Sequence, residues 1–155
     1  MKVIIGSDHA GYGLKEEIKK FLEERGTKVT DVGTNGLESV DYPDYVEKVA
    51  CPVAKGDYTR GILVCGAGIG MAMTANKIPG IRAAVCNDLY SARCSRKHND
   101  ANILALAARI IDVDLAVEIV DVWLKTKFLG GRHARRVGKI MEVERKYLRK
   151  GLGDE

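Results

Sequence analysis

The chain is expected to fold as an α/β domain around a parallel sheet of about five strands. Three observations carry that expectation. Apolar runs of four or five residues alternate with longer segments of helical periodicity, the pattern of stacked βα units. Glycines stand where a strand turns into a helix, as in Gly66-Ala67-Gly68-Ile69-Gly70, and where a helix ends, as at Gly26. The length of 155 residues suits one domain, read as 1–155, with no internal repeat, low-complexity stretch or linker.

Each element has its own reason. Residues 3–5 form a first apolar strand, and Leu14, Ile18, Phe21 and Leu22 recur at helical spacing before Gly26. Residues 28–31 read as a second strand. Tyr42-Pro43-Asp44 opens a helix carrying Val46, Val49, Ala50 and Val53, which Pro52 should kink or end early. Residues 62–65 are a buried-strand run, followed by the glycine loop and a short helix ending near Lys77. Strands at 82–86 and 103–106 enclose a helix from Asp88 to about residue 96, so that His98 falls after it in a polar run. Asp112 caps a helix with Leu115, Ile119 and Trp123 on one stripe. After Gly130-Gly131, a last helix over 132–149 turns Val137, Ile140, Met141 and Leu148 inward.

Composition excludes several classes of protein. No apolar run approaches the roughly 20 residues of a membrane span. The N-terminus turns polar after three apolar residues, unlike a secretory signal. Cys51, Cys65, Cys86 and Cys94 make no CxxC pair and have no histidine at zinc-finger spacing, so free thiols and a cytoplasmic location are expected. Net charge is +4, yet residues 125–150 hold ten Lys or Arg against Glu142 and Glu144, a local balance of +8. An anion would be drawn to that end. The segment has no accompanying aromatic array, which argues against a nucleic-acid partner.

In an open parallel sheet, ligands bind at the carboxyl ends of the strands. That rule selects Asp8-His9 after the first strand, Cys65 and the loop 66–70 after the third, and Asn87-Asp88 after the fourth. The loop has three glycines in five positions, so its N–H groups can face an anion beside a helix start. The bland reading is a tight turn, and the loop lacks the spacing of a dinucleotide fold or a P-loop, but its location favours an anion or oxyanion hole. Cys65 at its edge is either a base with a lowered pKa or a buried filler. The three histidines, His9, His98 and His133, all flank element ends that could border one cleft. Arg132 and Arg136 stand four apart on one helix face, a spacing suited to phosphate, while Arg135 and Lys139 read as solvated.

Gly6-Ser7-Asp8-His9, Asp41-Tyr42-Pro43, Cys65 with the loop 66–70, Ala75-Asn76-Lys77, His98-Asn99-Asp100 and Gly131-Arg132-His133 together resemble the type B ribose-5-phosphate isomerases. The wider family includes galactose-6-phosphate and allose-6-phosphate isomerases. The resemblance runs from residue 1 to about 149. It implies a Rossmann-like three-layer α/β/α fold, forming a homodimer or dimer of dimers whose active site is shared between subunits, with the C-terminal helix extending to the partner.

It also implies an aldose-ketose isomerase working on ribose 5-phosphate and ribulose 5-phosphate, without metal or organic cofactor. Cys65 would move the proton between C2 and C1, and His98 would assist ring opening. Asp8, His9, Asn99, Arg109, Arg132 and Arg136 would bind the sugar or its phosphate. The backbone of Gly66, Ala67, Gly68, Ile69 and Gly70 would steady the enediolate. Arg109 rests on the resemblance alone. One branch of the family replaces the cysteine with a glutamate just after the loop. Here Cys65 is present and the later position is Met71. Many relatives carry Ser or Thr where this chain has Ala67. Two other readings remain open: an isomerase of a six-carbon sugar phosphate, and a nonenzymatic nucleotide-binding α/β module.

Overall fold

A computed structural model describes residues 1–150, the last two by their backbone alone; residues 151–155 of the expected domain lie outside it. Strands and helices alternate along the chain: β1 (Val3–Ser7), α1 (Tyr12–Glu24), β2 (Val29–Asp31), α2 (Tyr42–Ala54), β3 (Arg60–Cys65), α3 (Ile69–Ala75), β4 (Ala83–Val85), α4 (Leu89–Asn99), β5 (Ile103–Ala107), α5 (Val113–Lys125) and α6 (Arg132–Lys150). The strands form one sheet in the order β2-β1-β3-β5-β4, with every neighbouring pair parallel. This is the Rossmann-like three-layer architecture expected.

Side-chain alternation along the strands builds the two outer layers. Val3, Ile5, Ile62, Val64, Leu104 and Leu106 pack against Leu14, Ile18 and Leu22 of α1, Ala92 of α4 and Ile119 and Trp123 of α5. Ile4, Leu63, Cys65 and Ile103 face Val46, Val49, Ala50 and Val53 of α2 and Met71 and Ala75 of α3. Each such aliphatic side chain contributes about 1.5–3 kcal/mol on full burial. Trp123 is fully buried and its indole N–H donates to Ser95 Oγ at 3.1 Å, so its one polar atom is satisfied. Asp112 caps α5 as expected, its Oδ1 accepting from the Leu115 N–H at 2.9 Å.

Three expectations need correction. First, α4 runs to Asn99, so His98 and Asn99 occupy its last turn rather than a loop after it. The polar run 96–99 looked like loop because its apolar stripe had ended, but a basic last turn suits the negative end of the helix dipole. Second, α6 does not turn all four apolar residues inward. Val137 and Met141 are half-buried, whereas Ile140 and Leu148 remain 47% and 59% exposed. The periodicity is real, but part of the stripe has no partner within the described chain. Third, Pro52 does not stop α2, which continues to Ala54. The carbonyl deprived of its amide belongs to the exposed residue Lys48, so the lost bond costs less than it would in the core.

Candidate active site

From β1 the chain first moves outward to β2 and then returns to the other side as β3, so the order reverses between β1 and β3. Such a reversal opens a crevice at the carboxyl ends of the two strands. Asp8 and His9 lie at the end of β1, Cys65 and the loop 66–70 at the end of β3, and Arg109 just past β5. These elements are drawn tightly together. A Cβ added to Gly11 would sit 2.1 Å from the Val64 carbonyl oxygen, so only glycine lets the turn after β1 lie across the end of β3. Asp8 is buried and its Oδ1 accepts from the Gly11 N–H at 3.0 Å, holding that turn. His9 Nδ1 accepts from the Val40 N–H at 3.2 Å, which puts the proton of a neutral imidazole on Nε2.

The Cys65 thiol is 6% exposed, and its Sγ accepts from the Gly68 N–H at 3.1 Å. Gly68 adopts φ +75, a left-handed conformation that turns its N–H back toward the sulfur as α3 begins. One N–H group of the glycine loop is thus directed at the candidate base. Arg109 closes the other side. Its N–H donates to the Gly66 carbonyl at 3.0 Å, and its guanidinium lies so near that a Cβ on Gly66 would be 3.2 Å from Nη1. The Tyr42 ring covers Gly70, where a Cβ would come within 2.7 Å. Tyr42 reads in the sequence as a helix start and as part of the Asp41-Tyr42-Pro43 motif, and neither reading announces this contact. Ala67 and Ile69 are exposed on the loop.

Asn87-Asp88 follow β4, whose end reaches the loop: a Cβ on Gly68 would lie 3.3 Å from Val85 Cγ1. β4 is the outermost strand, separated from β3 by β5, and the Asp88 carboxylate accepts from the Ser91 N–H at 2.7 Å as the cap of α4. Bonding to Ser91 holds its pKa below the ordinary carboxylate value.

The remaining candidates gather elsewhere. α4 runs back against the strand direction, so its last turn lies at the amino edge of the sheet, where Arg82 Nε donates to the Asn99 carbonyl at 3.2 Å. There the rings of His98 and His133 stack with centroids 4.3 Å apart and planes 14° from parallel. Desolvation, then the charges of His98, Arg132 and Arg136, hold His133 below its ordinary pKa. Arg132 and Arg136 project, exposed, from the first turns of α6 beside this pair. Within one copy of the chain, His9 thus stands apart from His98 and His133. His98, Asn99, Arg132 and Arg136 lie at the amino edge, Asp8, His9, Cys65, Arg109 and the glycine loop at the carboxyl edge. The five residues of β5 span about 17 Å between those edges.

All four cysteines are free thiols; Cys86 is buried and its thiol is pushed up by that burial. Among the described residues, no helix is long and apolar enough to cross a membrane.

Comparison with known proteins gives a consistent result. The model of the Ribose/Galactose Isomerase family matches residues 3–140. Ribose-5-phosphate isomerase B of Escherichia coli (strain K12) is 48% identical over 145 residues, covering 94% of this chain and 97% of that protein. The structure of Clostridium thermocellum ribose-5-phosphate isomerase B superposes with a TM-score of 0.93 at 62% identity, covering 95% of this chain and 99% of that one. The structure of ribose-5-phosphate isomerase B from Mycoplasma genitalium, solved with bound ribulose-5-phosphate, gives a TM-score of 0.90 at 40% identity, covering 94% of this chain and 97% of that one. The chain belongs to the ribose/galactose isomerase family.

Proposed function

We propose that this chain interconverts D-ribose 5-phosphate and D-ribulose 5-phosphate, with Cys65 as the base. The observation that carries this reading is the Cys65 thiol, held at the strand-order reversal with the Gly68 N–H directed at it. After ring opening, the Cys65 thiolate takes the C2 proton. The C2–H electron pair becomes the C1–C2 double bond, and the carbonyl pair moves onto O1 to give an enediolate. N–H groups of Gly66, Ala67, Gly68, Ile69 and Gly70 oppose that charge. The proton then returns from Sγ to C1, while the O2 hydroxyl proton passes to O1 and leaves a ketone at C2. Ala67 has no hydroxyl, so its side chain takes no part in that last transfer.

His98 opens the furanose ring, Arg132 and Arg136 hold the phosphate, and Asp8, His9, Asn99 and Arg109 hold the sugar. The separation of these residues onto two sheet edges supports a site shared between two copies of the chain. The carboxyl-edge half of one copy would meet the amino-edge half of another, and the exposed apolar residues of α6 would extend to the partner. Four free thiols suit a reducing cytoplasm.

Purified protein mixed with ribose 5-phosphate should form ribulose 5-phosphate, faster than it converts allose 6-phosphate. A chain inert on the pentose phosphate but active on the hexose phosphate would replace this substrate with the six-carbon one.

A further inference from the structure

We propose that Asp100 is a positioning residue for His98 and Asn99, clamped by Arg82 and Arg96 so that the last turn of α4 is presented in one orientation. The inference rests on the roles proposed above for those two residues. Among the described residues, Asp100 is the one non-glycine with positive φ, at φ 46 and ψ 45. Side chains avoid this region, Asp less strongly than most. Strain of this kind persists only where the surroundings over-determine it.

They do so here. Arg96 Nη1 donates to Asp100 Oδ1 at 2.7 Å, and Arg82 Nη2 donates to Oδ2 at 3.2 Å. The same arginines hold three successive carbonyls. Arg82 Nε reaches that of Asn99 at 3.2 Å and that of Asp100 at 3.0 Å, and Arg96 Nη1 reaches that of Ala101 at 2.6 Å. A helix end does not need this. The Asp100 N–H already bonds the Arg96 carbonyl at 3.2 Å, and the Ala101 N–H bonds that of Ser95 at 2.9 Å, which closes the helix by backbone alone. The arginines therefore fix the direction of the turn rather than its termination.

The clamp also reaches α6. The Arg82 N–H donates to Asn102 Oδ1 at 2.8 Å, and Asn102 Nδ2 donates to the Gly80 carbonyl at 2.9 Å. The Gly80 N–H in turn donates to both Glu144 carboxylate oxygens at 3.1 Å. Arg82 thus ties the turn bearing His98 to the helix bearing Arg132 and Arg136. Ring-opening and phosphate-holding groups stay in register, and the His133 ring stacked on His98 at 4.3 Å supports the imidazole from its other side.

Asp100→Gly removes the carboxylate while relieving the backbone strain, so it should fold. Asp100→Asn keeps a residue tolerant of this conformation and one acceptor oxygen. With ribose 5-phosphate, the Gly variant should lose about 10- to 100-fold in kcat, with a smaller rise in KM through Asn99, and the Asn variant should lose less. In a His98→Asn background, Asp100→Gly should cost far less than it does alone, because most of its effect passes through His98. Wild-type kcat in both folded Asp100 variants, or losses that multiply in the double variant, would overturn the positioning role. A wild-type protein inert on ribose 5-phosphate would instead overturn the functional reading beneath it.

Discussion

Replacing Gly68 by Ala tests the glycine loop where backbone geometry and chemistry meet. At φ +75 a side chain pays for the left-handed region, about 1–2 kcal/mol. The new Cβ would also lie 3.3 Å from the Leu106 carbonyl carbon and oxygen and from Val85 Cγ1. Backbone cannot yield as a side-chain tip can, so mild overpacking adds about 1 kcal/mol. Together these give about 2–3 kcal/mol and a fall in Tm of about 4–12 °C for a chain of this size. Gly13→Ala is the control of opposite sign: it lies in α1 with nothing within 4 Å of its added Cβ. That change should stabilise by about 0.4–1 kcal/mol. Because the Gly68 N–H points at Cys65 Sγ, Gly68→Ala should also lower turnover about 10- to 100-fold, whereas Gly13→Ala should not. Calorimetry with steady-state kinetics reads both. A Gly68→Ala protein with wild-type Tm and turnover would refute the reasoning.

Three further outcomes are expected. Cys65→Ala should abolish isomerisation while calorimetric binding of ribose 5-phosphate persists; near-normal turnover would remove Cys65 as the base. Arg132→Ala and Arg136→Ala should each raise KM by about one to two decades, since a hydrogen bond to a charged group is worth roughly 1.5–3 kcal/mol, while Arg135→Ala should not; equal damage at Arg135 would contradict the paired-arginine phosphate site. Asp31 joins α1 to β2: desolvation raises its pKa, but bonds from Lys15, the Gly33 N–H and Lys19 outweigh this and hold it below the usual carboxylate value. A depressed carboxylate contributes stability that is present above about pH 4 and lost as pH falls through its folded-state value. Denaturant unfolding should therefore show the advantage of wild type over Asp31→Asn shrinking below about pH 4; a constant difference down to pH ~2 would contradict it.

The layers were legible because burial imposes them. The alternation of Val3, Ile5, Ile62 and Val64 against Ile4 and Leu63 assigns faces without any coordinates. The carboxyl-edge half of the site was legible for the same reason, since strand ends follow from strand positions. Arg109 was not, because an exposed arginine just past a strand looks like any solvated one until its guanidinium is seen against Gly66. The placement of His98 was misread because the polarity of residues 96–99 masks a helical turn completed by the unusual backbone of Asp100. The edge itself did not depend on that reading, since the segment entering β5 lies at the amino edge of the sheet whether α4 ends at 96 or at Asn99.

A site divided between two chains makes one distinctive demand. Cys65→Ala is expected to be inactive and His98→Asn to be severely slowed, and neither has both residues intact. Unfolded together in equal amounts and refolded, they should form mixed dimers in which one of the two sites combines an intact Cys65 from one chain with an intact His98 from the other. Random pairing then restores about a quarter of wild-type activity on ribose 5-phosphate. Native mass spectrometry would establish that mixed dimers are present. Recovery of that fraction is the predicted result, and mixed dimers that form but stay inactive would contradict the shared site.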